Sequence, residues 1–96
     1  MANNLHISYD LKNPGRDYEK IIGAIQKLGG WAKIQFSHWY VDSTYTAAQA
    51  RDFLKDFVDT NDSIYVVDST NDDWASWNLN PDVTAFLHSK WFAKAA

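Results

Sequence analysis

The run Trp31-Ala32-Lys33-Ile34-Gln35-Phe36-Ser37-His38-Trp39-Tyr40-Val41 has to be settled first, because the segments before and after it have clear periods. Its aromatic and β-branched content speaks against a helix. In an extended chain Ala32, Ile34 and Phe36 share one face. Trp39 and Val41 fall on that same face only if the phase slips near Ser37-His38. A bulge, or a very tight hairpin joining two short strands, produces such a slip.

On the N-terminal side, Leu5-His6-Ile7-Ser8-Tyr9-Asp10-Leu11 alternates strictly, with Leu5, Ile7, Tyr9 and Leu11 on one face and His6, Ser8 and Asp10 on the other. That is a half-buried strand, and Lys12-Asn13-Pro14-Gly15 ends it with turn chemistry. From Asp17, a suitable N-cap, the period becomes helical: Tyr18, Ile21, Ile22, Ile25 and Leu28 form one stripe, and Gly29-Gly30 stops it. On the C-terminal side, Thr46-Ala47-Ala48-Gln49 is a capping box. The helix behind it carries Ala50, Phe53, Leu54, Phe57 and Val58, and Ile64-Tyr65-Val66-Val67 reads as a fourth strand.

The order β-α-β-β-α-β predicts an α+β fold: a ferredoxin-like plait with two helices on one face of a four-stranded sheet in the order 4-1-3-2. We read residues 1–96 as one domain, with a core at 4–68 and a C-terminal extension at 69–96. In the extension, Trp74 to Leu79 suggests a short fifth strand. Pro81 begins a last helix over 82–93, with Val83, Phe86, Leu87, Lys90 and Trp91 along one side. So aromatic a tail packs on its own domain or on another copy.

Composition narrows the functional classes. Apolar residues make up 46% and charged residues 22%, which suits a globular chain and not a disordered one. The absence of cysteine removes disulfides and thiolate zinc sites. No apolar run is long enough to span a bilayer and no secretory signal is visible, so the expectation is a cytoplasmic protein without membrane contact. Residues 1–40 carry five bases and three acids, and residues 41–96 four bases and nine acids. Such a chain has no broad phosphate-attracting field, and any RNA or DNA contact would use its first half.

Candidate site residues come from the face of the sheet opposite the helices. If the first and third strands run parallel at its centre, their C-terminal ends bring Asp10 and Asp42 to one rim. Two carboxylates there could hold a hard cation, magnesium or manganese, that activates water against a phosphodiester. Equally, both acids could accept turn or helix-start N–H groups. His6, Ser8 and Asp10 have the residue types of a hydrolase triad, but side chains two apart on a strand do not converge as a triad must. His6, His38 and His88 lack metal-ligand spacing. Five Trp and five Tyr exceed what one small core needs. This surplus points to a protein interface, with Trp39, Tyr40, Trp74 and Trp77 as its candidates, ahead of a base-stacking platform.

Ile7-Ser8-Tyr9-Asp10-Leu11, Ala32 to Trp39, Thr46-Ala47-Ala48-Gln49 and Asp62 to Val67 fall in an order and spacing that resemble the superfamily of small CRISPR-adaptation endoribonuclease-like proteins and VapD toxins. The Tyr-Asp-Leu strand before Asn-Pro-Gly, and Trp39-Tyr40-Val41-Asp42-Ser43, look closest to its SinR-like branch. The resemblance covers residues 4 to 68. It implies a ferredoxin-like homodimer with facing sheets, often with a C-terminal strand crossing to the partner. In nuclease members the acid ending the first strand, matched here by Asp10, binds a divalent metal between protomers. The loop Lys12-Asn13-Pro14-Gly15-Arg16 and the bulky His38-Trp39-Tyr40 depart from the adaptation branch.

Three functions follow as expectations. The first is a metal-dependent endoribonuclease-like dimer, with Asp10 and Asp42 as metal ligands and Ser8 and His38 as further catalytic candidates. The second is a non-catalytic dimeric scaffold that binds a protein or nucleic-acid partner. The third is an ACT-like small-ligand regulatory domain, suggested by Pro14-Gly15 between the first strand and helix.

Overall fold

The computed structural model describes residues 2–12, 18–70, 72 and 75–91. The elements run β1 (Asn3–Asp10), α1 (Tyr18–Gln26), β2 (Gly29–Gln35), β3 (His38–Ser43), α2 (Ala47–Leu54, continued by a 3-10 turn at Lys55–Phe57), β4 (Ser63–Asp68) and α3 (Pro81–Trp91). The four strands form one sheet in the order β2-β3-β1-β4, with every neighbouring pair antiparallel. This α+β arrangement is compatible with the ferredoxin-like plait. The expected N-cap Asp17 and the turn at 13–16 lie outside the described residues.

The hairpin is both of the devices expected for it. Phe36 and Ser37 make a two-residue turn between Gln35 and His38, with Ser37 in the left-handed region at φ 62°. A register shift between Lys33 and Gln35 adds a bulge to β2. The two arms do not share an apolar face, however. Trp39 and Val41 join the core under α1 and α2, whereas Ala32 pairs with Tyr40, which packs with Ile34 on the opposite side.

The main core lies between the sheet and the first two helices. Leu5, Ile7, Ile25, Val41, Ala50 and Leu54 are all fully buried there. Each large aliphatic side chain so removed from water contributes roughly 1.5–3 kcal/mol. The capping box forms as expected: Gln49 N donates to Thr46 Oγ1 at 3.1 Å, and Thr46 N donates to Gln49 Oε1 at 2.9 Å. Gly29 does not end α1 but opens β2, and its position admits no other residue. A Cβ there would stand 2.1 Å from the Asp42 carbonyl oxygen.

The tail departs from expectation. Residues 75–80 form no strand; they lead instead into α3, where Asn80 caps the helix by accepting from Asp82 N at 2.8 Å and Pro81 takes the first helical position. Helix α3 lies over β2 and β3 on the face that α1 and α2 leave open. There Leu87 and Trp91 bury Tyr40 completely. The Trp91 ring stacks on Tyr40 with centroids 5.6 Å apart and tilts against His6 at 5.0 Å, and its Nε1 donates to the Asp72 carbonyl at 2.6 Å. The tail therefore packs on its own domain and covers half of the face expected to be bare.

Candidate functional site on the uncovered half of the sheet

The two rim acids do not meet. Because β1 and β3 run antiparallel, and not parallel as expected, Asp42 pairs with Asn4 near the start of β1 and Asp10 pairs with Ser63 at its end. At about 3.3 Å per residue the six steps from Asn4 to Asp10 separate these positions by about 20 Å. The exposed Asp10 carboxylate accepts from Lys12 Nζ at 2.6 Å, which holds the lysine above its ordinary pKa. The acid that does come to this end is Asp62. Its two oxygens accept from Lys12 N and Asp59 N, each at 2.8 Å, so it clips the end of β1 to the turn before β4. No group of three or more His, Asp or Glu side chains that could hold a metal occurs among the described residues.

Two interface candidates are also relocated. Trp39 and Tyr40 are 3% and 0% exposed, locked into the two cores of the chain, so neither offers a free surface. Trp77 is 87% exposed and remains available. Trp74 lies outside the described residues.

The structure instead assembles a shallow cavity on the half of the sheet that α3 leaves open, with a volume of about 520 Å³. It takes His6, Ser8 and Tyr9 from β1, Phe36, Ser37 and His38 from the hairpin, and Tyr65 and Val67 from β4. Alternation along β1 sets His6 and Ser8 on this face, as the sequence predicts. Phe36 at the turn tip and Tyr65 on β4 are 90% and 69% exposed. Lys33 Nζ lies 4.8 Å from the centre of the Phe36 ring and 5.9 Å from that of Trp39.

At the floor of the cavity stand two histidines. Ser8 is the direct partner of His38 and Tyr40 that of His6, so His6 and His38 are diagonal neighbours across the β1–β3 ladder. His6 Nδ1 and His38 Nε2 face each other at 3.1 Å, with ring centroids 5.3 Å apart. Burial pushes the His6 imidazole down to about 4, helped by the neighbouring His38 charge, and burial lowers His38 too. Burial thus favours the uncharged form of both rings. Behind them, the Tyr40 hydroxyl donates to Asn4 Oδ1 at 2.7 Å, and burial, with Asp42 nearby, holds the phenol above its ordinary pKa. Sequence spacing could not have shown the histidine pair, since 32 residues separate its members. The alternation of faces in β1 and β3 was the available signal.

No family model matches the chain, and no solved structure matches it. No helix among the described residues is long and apolar enough to cross a membrane.

Proposed function

We infer that the chain is a self-associating binding module, which pairs with a second copy through the half-sheet bounded by β1, β4 and the β2–β3 turn. One observation carries this reading. On a protein with 21 charged side chains, the described residues lining the cavity include no Asp, Glu, Lys or Arg, and two large aromatic rings stand exposed at its edge. A phosphodiester backbone is bound through cationic donors, which this surface lacks. A metal-dependent cut would need carboxylates gathered at one point, and Asp10 and Asp42 are at opposite ends of the sheet. A second copy needs neither, because a self-complementary two-fold contact is served by an uncharged aromatic centre. The resemblance to a superfamily of homodimers with facing sheets supports the same arrangement, with α3 narrowing the contact to half of the face.

The test is the mass in solution across a dilution series. The wild-type chain runs at twice its monomer mass at micromolar concentration, and Tyr65→Arg, which sets a charge in the patch, runs as a monomer with an unchanged circular dichroism spectrum. A wild type that stays monomeric at every concentration overturns the reading. Cleavage of RNA with magnesium or manganese that Asp10→Asn abolishes would replace it with the nuclease.

A further inference from the structure

The histidine pair has a geometry that self-association does not use. Two imidazoles aim ring nitrogens at one another across 3.1 Å, on adjacent strands of a rigid sheet, at the floor of an open cavity. An N–H···N hydrogen bond accounts for that distance. So does the bite of a chelate. With metal–nitrogen bonds of about 2.05 Å, two ligands lie about 3.3 Å apart at a tetrahedral angle and about 2.9 Å apart at a right angle. The observed separation falls between the two, so the nitrogens already stand at chelating distance, and binding turns the rings until both lone pairs meet at the ion.

We propose that His6 and His38 form a two-imidazole chelate for a divalent transition-metal ion of the zinc, nickel and copper class, with the ion's remaining positions open to the cavity. The donor set selects the metal: imidazole suits these borderline ions and not magnesium or calcium, which take oxygen. His6 packs against Trp91 and Tyr40, with centroids at 5.0 and 5.7 Å, so its ring has little freedom to lose on binding. Ser8 and Tyr65 line the same cavity, from which water or a donor atom of a bound molecule would complete the shell. With two protein ligands the site differs from a structural one, which closes its shell with four. Both ligands belong to one chain, but a second copy seated on this half-sheet covers the same cavity, so metal uptake is measured at concentrations where the chain runs as a monomer.

Isothermal titration of the metal-free protein with zinc chloride, repeated with nickel chloride, tests this. The wild type takes up one ion per chain. His38→Gln, whose side chain sits at the start of β3 and leaves the core intact, weakens binding at least tenfold. His88→Gln on the exposed side of α3 leaves binding as it is. Long-range nitrogen NMR of the wild type shows zinc moving His6 Nδ1 and His38 Nε2 and neither nitrogen of His88. Equal affinity in the wild type and His38→Gln, or no uptake at millimolar metal, overturns the proposal and leaves the pair as a hydrogen bond.

Discussion

Truncating Trp91 to alanine tests whether the tail belongs to the folded unit. Trp91 is 3% exposed, stacks on Tyr40, contacts His6 and donates through Nε1 to the Asp72 carbonyl. Loss of a buried tryptophan costs about 3–5 kcal/mol where the site cannot collapse. Leu87, Val83 and Phe86 continue to hold α3 on the sheet, so the low end applies and we expect a loss of about 3 kcal/mol. That is a large fraction of the roughly 5–15 kcal/mol a domain of this size has. With a urea slope of about 1.5–2 kcal/mol per molar, the midpoint falls by roughly 2 M. Trp91→Phe keeps a stacking ring and loses the Nε1 bond, for about 1 kcal/mol. Urea unfolding followed by far-ultraviolet circular dichroism measures both, and amide exchange reads α3 directly. If Trp91→Ala unfolds within about 1 kcal/mol of the wild type, with α3 amides equally protected, the docking of α3 is refuted.

Two further outcomes follow from single positions. Gly29→Ala forces a Cβ to within 2.1 Å of backbone, whereas at Gly30 the nearest atom is a movable Phe86 ring carbon at 3.5 Å. Gly29→Ala therefore costs more than about 2 kcal/mol and Gly30→Ala less than about 1 kcal/mol, a contrast visible in thermal melting; similar melts for the two would contradict the close approach. The histidines make stability fall in mild acid. The unfolded chain protonates His6 near its ordinary 6.5, whereas the folded chain resists until about 4. The unfolded state thus binds more protons across that window, and stability declines as pH drops from 6.5 to 4, then levels with respect to this group. Urea midpoints at pH 7, 5.5 and 4.5 should show a shallower decline in His6→Gln; an identical decline would place the acid sensitivity elsewhere.

Much of the fold was legible because its determinants are local. The alternation of Leu5 to Leu11, the capping box at Thr46 and the stripe of α2 each report a period that tertiary structure preserved. The arms of the hairpin put apolar residues on both faces, which blurs the alternation, because a second core beneath α3 buries Tyr40 and Ile34 opposite Trp39 and Val41. The fifth strand failed for a related reason: Trp77 sits in an exposed bend whose next residue, Asn78, is left-handed at φ 59°. The site suffered most from strand direction. Asp10 and Asp42 look adjacent only if β1 and β3 are parallel, and one reversal puts them at opposite ends. The same reversal makes His38 a diagonal neighbour of His6, a contact that depends on register and that no spacing encodes.

The pairing surface is tested most directly by amide NMR spectra of the isotope-labelled chain, recorded from millimolar to micromolar concentration. Signals of Ser8, Phe36, Ser37, Tyr65 and Val67 should move together on dilution while those on the outer faces of α1 and α2 stay fixed. Movement confined to the helices, or a spectrum indifferent to concentration in a chain of monomer mass, would contradict it.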